Sequence, residues 1–315
     1  MPTRRRLILT ALVVLVAAGS GSSTLRGQAP ARKRLLFLTH AALYKHSSLA
    51  PAEAAVTEYG KSGGFDVTTL EGYKQDSAKL DMSFLTPEYL AQFDGLMLMT
   101  NGNLPLTDAQ KRAIVDYVRN GKALIGVHCA SLTLYDYPEF GEVLGGYYRR
   151  SIVPTTIVGR KMGVLKVEDP SHPATRTLGG NWTVAEEFYQ FGTAVWDASR
   201  PTEQISQVGR LHIPMAFSRD RVHVLLSLDT EKTDISDLGP EIAKGGDYPQ
   251  AWSRTFGKGR SFYTSLGHRD DIWSTDQNFR AHVTGGIRWA LGIENWELRI
   301  KNGIVPDWLC SGATT

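Results

Sequence analysis

The 315-residue sequence has only two cysteines, Cys129 and Cys310, and no apolar run long enough to cross a membrane. The cysteine count excludes a disulfide-held scaffold and a metal site made of cysteines alone, because both need several thiols. The longest apolar run, Leu7 to Ala18, has 12 residues, whereas a transmembrane helix needs about 20. With 42% hydrophobic and 21% charged residues, the composition is that of an ordinary globular protein and not of a disordered, collagen-like or coiled-coil chain.

Residues 1–29 have the three parts of an export signal. Arg4-Arg5-Arg6 precedes the short apolar run, and Gly27-Gln28-Ala29 resembles a small-x-small cleavage site. The segment from Thr3 to Ile8 is also similar to a twin-arginine signal, which exports folded proteins. We therefore predict a bacterial periplasmic or secreted protein with no integral membrane segment once the signal is removed; an uncleaved single anchor is the alternative.

The formal charge of +3 comes from this leader. Four of the 35 basic residues lie in it and none of the 32 acidic ones, so the remaining chain has 31 against 32 and a charge of about −1. Such a body lacks the positive excess that binding to nucleic acid requires. No nucleic-acid partner is expected.

The body of the chain alternates between buried-strand and helix patterns. Continuous apolar runs typical of strands covered on both faces alternate with helices that have Pro in the first turn or a Thr-x-x-Gln capping box. The predicted strands are 35–39, 65–70, 95–99 and 123–127, and the helices are 51–61 and 107–119. This alternation predicts an α/β fold with a parallel sheet between two layers of helices.

Beyond residue 151 the pattern changes. Short strands at 152–158 and 164–167 without full helices between them predict a β-rich insertion. Strand patterns return at 222–228, 251–256 and 261–266, the last two joined by a turn at Gly257–Gly259, and a final amphipathic helix spans 279–291.

Polar side chains follow four of the predicted strands at the point where each strand ends: His40, Asn101 with Asn103, His128 and His268. Ligands bind outside the carboxyl ends of parallel strands, because loops and helix N-termini converge there. Histidines in such a crevice suit a divalent metal such as zinc, or proton transfer near neutral pH. The alternative is that each histidine braces a loop. His46 is a weaker candidate, and His212, His223 and His282 fit structural positions.

Two further features concern the same crevice. Glu186-Glu187 suggests one buried carboxylate with a role and one solvated carboxylate, without deciding which is which. Around Gly126-Val127-His128-Cys129, a nucleophile elbow would need its nucleophile where His128 stands, which argues against Cys129 as a nucleophile.

Several motifs together resemble the ThuA-like (trehalose-utilisation) family over residues 34–292, which leaves 293–315 as a C-terminal tail. The most specific is the run from Gly257 to His268. The others are Gly126-Val127-His128, Gly145-Gly146, His172-Pro173, Glu187-Phe188-Tyr189 and Trp289-Ala290.

The resemblance implies a class I glutamine amidotransferase-like fold, a flavodoxin-like three-layer sandwich with a mostly parallel sheet. It also implies that amidotransferase chemistry is absent, since His128 stands where that superfamily has its cysteine. Family members are linked to trehalose, related disaccharides and 3-keto-glycosides. The family commonly has Asp-Glu where this chain has Glu186-Glu187.

These observations lead to one hypothesis and two rivals. The hypothesis is an exported carbohydrate-active enzyme that hydrolyses or eliminates a disaccharide or 3-keto-glycoside. Its predicted metal ligands are His40, His128, His268 and Glu187; its predicted catalytic groups are His128, Glu187 and His268; its predicted substrate-binding residues are Asn101, Asn103, Tyr44, Tyr189 and Trp273. The rivals are a non-catalytic periplasmic sugar-binding or scaffold module and a Cys-dependent amidase or esterase. The sequence leaves open the substrate, the metal and whether the chain forms a homo-oligomer.

Overall fold

The structure is a computed structural model that describes residues 31–152, 161–192, 203–205, 209–211, 217–238 and 242–293. The predicted leader, the C-terminal tail and parts of the insertion lie outside these ranges. The strands are β1 (Lys33–Leu38), β2 (Phe65–Thr69), β3 (Gly95–Leu98), β4 (Ala123–Val127), β5 (Tyr148–Ser151), β6 (Met162–Val167), β7 (Asn181–Ala185), β8 (Tyr189–Phe191), β9 (Glu203–Ile205), β10 (Gly209–Leu211), β11 (His223–Leu228), β12 (Pro249–Phe256) and β13 (Gly259–Thr264). The α-helices are α1 (Leu49–Gly63), α2 (Pro87–Leu90), α3 (Asp108–Arg119), α4 (Pro138–Leu144), α5 (Ile272–Thr275) and α6 (Gln277–Ala290).

One nine-stranded sheet organises the fold, in the order β2-β1-β3-β4-β13-β12-β11-β6-β7. The first five strands are parallel, so the predicted parallel sheet is confirmed. The remaining four are antiparallel extensions, and β12 reaches β13 through the hairpin that the glycines near residue 257 predict. The strands β1, β3, β4 and β13 are therefore adjacent, and their carboxyl ends share one edge of the sheet.

The central strands are continuously apolar because helices cover both faces of the sheet. Along β1, Leu35 and Phe37 pack into one core, whereas Leu36 and Leu38 pack into the other. Successive side chains of a strand point to opposite faces, so each strand contributes to both layers.

Local signals fix the helix ends. The capping box of α3 is present, with the Thr107 hydroxyl accepting from the Gln110 N–H and the Gln110 side chain accepting from the Thr107 N–H. α1 begins at Leu49, two residues before the predicted start, and is followed by Gly64, whose φ of 79° is the left-handed conformation that glycine adopts without strain.

The insertion is β-rich, as predicted. β6 and β7 extend the main sheet, while β5 pairs with β8 and β9 pairs with β10 as separate antiparallel ribbons. The predicted strand 152–158 falls mostly outside the residues described, and the short helix α4 was not predicted. Among the residues that the structure describes, no helix has the length and apolarity needed to span a bilayer.

Candidate metal centre

Four side chains from distant parts of the chain meet at the carboxyl edge of the parallel strands. His46 lies in the loop after β1, His128 directly follows β4, Glu187 connects β7 to β8, and His268 follows β13. One ligand atom from each lies within 4.8 Å of all the others. The predicted meeting of His128 and His268 at this edge is found, His46 stands in place of His40, and the insertion contributes the carboxylate.

The spacing of these atoms fits a metal ion. His128 Nε2 lies 3.2 Å from His46 Nε2, 3.2 Å from His268 Nδ1 and 3.4 Å from Glu187 Oε2. Glu187 Oε2 lies 2.8 Å from His268 Nδ1. In a tetrahedral site with bonds of about 2.1 Å, neighbouring ligand atoms are about 3.4 Å apart. The four groups therefore need to move apart only slightly to surround one ion.

His128 is locked in the orientation that a ligand requires. Its φ of 50° turns the chain at the end of β4, where a short 3₁₀-helix (His128–Leu132) begins. Its Nδ1 lies 2.8 Å from the carbonyl oxygen of Ser265, which can only accept, so Nδ1 carries the proton and Nε2 presents its lone pair to the cluster.

The protonation states of His46 and His128 also suit metal binding. Burial, together with the neighbouring histidines, lowers the pKa of His46 to about 3 and that of His128 well below its usual value. Both rings are thus neutral at physiological pH, which is the form that binds metals. Burial lowers the pKa of His268 as well, but its bond to Glu187 and the nearby carboxylates outweigh this and raise it.

The donor set itself indicates a class of ion. Three imidazole nitrogens and one carboxylate oxygen suit zinc and the other late first-row divalent metals better than calcium or magnesium, which prefer oxygen ligands. The Nδ1 of His46 is buried without a hydrogen-bond partner in the described structure, so no competing bond holds that ring in another role.

Neighbouring hydroxyls orient the ligands. The Ser151 hydroxyl donates to Glu187 Oε1, which leaves Oε2 for the cluster. The Tyr189 hydroxyl lies 2.9 Å from His128 Nε2. Tyr189 is buried between His128 and Tyr148. Its ring is therefore closed to a sugar, and its hydroxyl is the part that faces the site.

Both members of the Glu186-Glu187 pair are buried, so the expectation that one is solvated is wrong. Glu186 Oε2 accepts from the backbone N–H groups of Glu187 and His268, each at 3.1 Å, and Oε1 accepts from that of Arg269 at 2.9 Å. Burial raises the pKa of Glu186 to about 7 in spite of these bonds. Glu186 thus ties together the two loops that carry Glu187 and His268.

Because Glu186 sets the distance between two ligands, Glu186→Gln is expected to weaken zinc binding about 10- to 100-fold. This is the usual effect of removing a residue that holds metal ligands in place by hydrogen bonds. The amide must turn its NH₂ towards one of the three N–H donors. Calorimetric titration measures the affinity, and Glu58→Gln, which changes an exposed carboxylate in the same way, is the control. Equal affinities in the two variants would show that Glu186 does not position the ligands.

His40 is not part of the cluster, and its prediction as a metal ligand is corrected. Its buried ring lies against Phe84 and the backbone of Gly72, and its Nε2 faces the Gln75 amide at 3.3 Å. Burial lowers the pKa of His40 to about 4. The loop after β1 continues past His40 before it reaches the site, so His46 supplies the ligand instead.

The side chain of Asn101 holds the loop after β1 in the conformation that brings His46 to the site. Its Oδ1 accepts from the N–H groups of Leu43 and Tyr44, and its Nδ2 donates to the Tyr44 carbonyl, so the side chain fixes the loop that carries His46. Asn101 is buried and acts on the loop, not on a ligand. An Asn placed after a strand was visible in the sequence, but its backbone partners were not.

The other predicted substrate-binding residues differ in whether they offer an open surface to a sugar. Trp273 is 2% exposed and donates its indole N–H to the Gly267 carbonyl, so its ring has no face open to a sugar. Asn103 accepts from the N–H of Asp136. Tyr44 is 53% exposed, with its ring centroid 4.7 Å from that of His46. Of these three, Tyr44 has the open face beside the cluster.

Cys129 has no features of a nucleophile. It is a buried free thiol, and burial raises its pKa to about 12. A nucleophilic cysteine needs a lowered pKa and access to substrate. These properties agree with the sequence argument against Cys129.

Comparisons with known proteins identify the family. The sequence profile of the ThuA family, described as trehalose utilisation, matches residues 34–290. A protein described as ThuA-like from Bacteroides uniformis superposes with a TM-score of 0.61 at 21% identity, covering 88% of this chain and 98% of that one. Another from Parabacteroides merdae gives 0.58 at 18% identity, covering 83% and 90%. No curated protein matches the chain. The fold and the extent of the profile match show that the chain belongs to the ThuA (trehalose utilisation) family.

Proposed function

We propose that this protein is an exported, metal-dependent enzyme that hydrolyses or eliminates a disaccharide or 3-keto-glycoside. The observation that carries the proposal is the convergence of His46, His128, Glu187 and His268 on one point. The family description, trehalose utilisation, supports the substrate class. The arginine-led apolar segment at the N-terminus supports export.

A divalent metal held by residues of this group, with one position left open, would supply a Lewis acid for a carbonyl or hydroxyl oxygen of the sugar. The chain provides the rest. His46, His128 and Glu187 are buried, whereas the His268 side chain is 22% exposed, so a substrate approaches past His268 and the exposed ring of Tyr44. Tyr44 is placed to pack against a sugar ring.

The predicted catalytic groups take different roles in this proposal. The ring of His128 is fully buried and held by Ser265, so it serves as a ligand and not as a mobile proton carrier. Glu187 and His268 share a hydrogen bond at the open side of the cluster. A metal ion held by His46, His128 and one member of this pair would leave the other member free to move a proton next to the sugar carbonyl or glycosidic oxygen.

The proposal also excludes glutamine amidotransferase activity for this chain. His128 stands at the end of β4, and the neighbouring thiol of Cys129 is buried with a raised pKa. Neither side chain provides the accessible thiolate that such chemistry needs.

The test is turnover of a small panel that contains trehalose, sucrose and their 3-keto derivatives, with products separated by chromatography. We expect the zinc-loaded protein to convert at least one of them, and His268→Ala to lose about 100-fold or more in rate with an unchanged far-UV circular dichroism spectrum. His40→Ala, which removes a buried histidine outside the cluster, should retain activity. Sugar binding without turnover across the panel would instead support a binding module.

A further inference from the structure

A second cleft, of about 420 Å³, lies at the edge of the sheet opposite the metal centre. Its walls include His172, Arg221, His223, Arg254 and Trp289. Arg254 pairs with Ser261 near the start of β13, whereas His268 follows the end of that strand. The cleft is therefore separate from the candidate metal centre.

Arg254 brings to this cleft a guanidinium that has no direct carboxylate partner among the described residues. One of its terminal nitrogens donates to the backbone carbonyl of Glu142, while the Glu142 carboxylate pairs with Arg221 at 3.2 Å. In the described structure the Nε of Arg254 is buried without a hydrogen-bond partner, and Arg254 forms no ion pair. A partly buried guanidinium that shares its nearest carboxylate with a second arginine favours an additional negative charge.

His172 adds a second unused donor. Its Nδ1 accepts from the N–H of Ala174 at 3.1 Å, so the proton of the neutral ring is on Nε2. His172 is 7% exposed, and its Nε2 has no partner among the residues that the structure describes. A buried N–H without an acceptor is costly and rare in folded proteins.

The remaining charged groups of the cleft are accounted for. His223 Nε2 is held by Asp169 at 2.8 Å, and Asp220 is exposed at the rim. Among the residues described, the cleft lining has two arginines and two histidines but, of the acidic residues, only Asp220, so its composition favours an anion.

We propose that this cleft binds a small organic molecule that carries an oxyanion, either a carboxylate or a phosphate. The planar guanidinium suits both anions, since it can form two parallel hydrogen bonds to either. The volume exceeds that of an inorganic ion and lies in the range of small-molecule pockets. The proposal does not depend on the function proposed for the metal centre.

The experiment is calorimetric titration of the full protein with phenyl phosphate and, separately, benzoate, which distinguishes the two sources of the oxyanion. Because a metal centre can also bind anions, the titrations are repeated on His128→Ala. We expect binding by at least one probe that persists in His128→Ala. Arg254→Gln should weaken it about tenfold or more, the effect of losing a charge-assisted hydrogen bond.

Two further variants make the result specific. Arg260→Gln removes a positive charge that lies against Trp289 but outside the cleft lining, and should bind as the wild type does. His172→Asn keeps an acceptor for the Ala174 N–H but lacks the outer donor, so it should weaken binding even if Arg254→Gln folds poorly. Absence of binding by both probes at about 10 mM, well above the usual range for such ligands, overturns the proposal. So does equal binding by the variants of Arg254, His172 and Arg260, or loss of all binding in His128→Ala.

Discussion

Replacing His128 by alanine is expected to raise the dissociation constant for zinc by at least about 100-fold, because removing a ligand should cost no less than removing its supporting partner. Its Nε2 lies within 3.4 Å of ligand atoms from the other three residues, so it is the centre of the group. Titration calorimetry or competition with a chelator of known affinity measures the effect. Far-UV circular dichroism should remain that of the wild type.

The matched control is His40→Ala. It also removes a fully buried imidazole that follows a central strand, but one that contacts Phe84 and Gln75 and no ligand of the cluster. We expect its zinc affinity to stay within about threefold of the wild type, the size of ordinary context effects. Undiminished affinity in His128→Ala, or an equal loss in the two variants, would refute the assignment of the ligands.

Acidification is the second perturbation with a large expected effect. The metal-free protein should lose stability steeply as the pH falls from 6.5 to about 4 and unfold near the lower end. Burial is the main cause that lowers the pKa of five histidines, to about 3 or 4 in four of them and well below its usual value in His128, so they stay neutral in the folded state. They are His40, His46, His128, His172 and His282.

The sign follows from proton uptake. Below pH 6.5 the unfolded chain protonates these rings and the folded chain does not, so each costs about 1.4 kcal/mol of stability per pH unit until its folded pKa is reached. Glu53 and Glu186, whose pKa values are raised, act in the opposite direction in this range but are fewer.

Urea unfolding followed by circular dichroism at several pH values measures this slope. The variant His282→Asn keeps a side-chain donor for the Ala174 carbonyl and removes one titrating ring. Its free energy of unfolding should therefore change with pH less steeply, by the amount that corresponds to the uptake of about one proton. A urea midpoint that stays constant between pH 7 and pH 4 would contradict the burial of neutral histidines.

The sequence predicted the edge of the sheet at which the site lies, because strand patterns are periodic and local. The runs that became β1, β3 and β4 alternate with helices, and that alternation dictates parallel strands with a shared carboxyl edge. His128 and His268 follow their strands directly, so their placement needed only the topology. Glu187 was predicted as a site residue from the Glu187-Phe188-Tyr189 motif and not from the periodicity of the strands.

The sequence could not show that His46, and not His40, belongs to the cluster. A residue directly after a strand was expected to face the crevice, but the loop after β1 extends further and is held by the side chain of Asn101. Such a bond joins residues 58 positions apart, and no local pattern encodes it. The burial of both Glu186 and Glu187 escaped prediction for the same reason, since the partners of Glu186 come from the loop after β13.

The central claim is that His46, His128, Glu187 and His268 form a metal site, and metal content tests it most directly. The measurement is elemental analysis of the untagged protein, purified without chelators from cells grown in metal-replete medium. The account predicts about one equivalent of a single divalent metal in the wild type and less than about 0.1 equivalent in His128→Ala. A wild-type protein with less than about 0.1 equivalent that also fails to bind added zinc, manganese, iron, cobalt or nickel would contradict it.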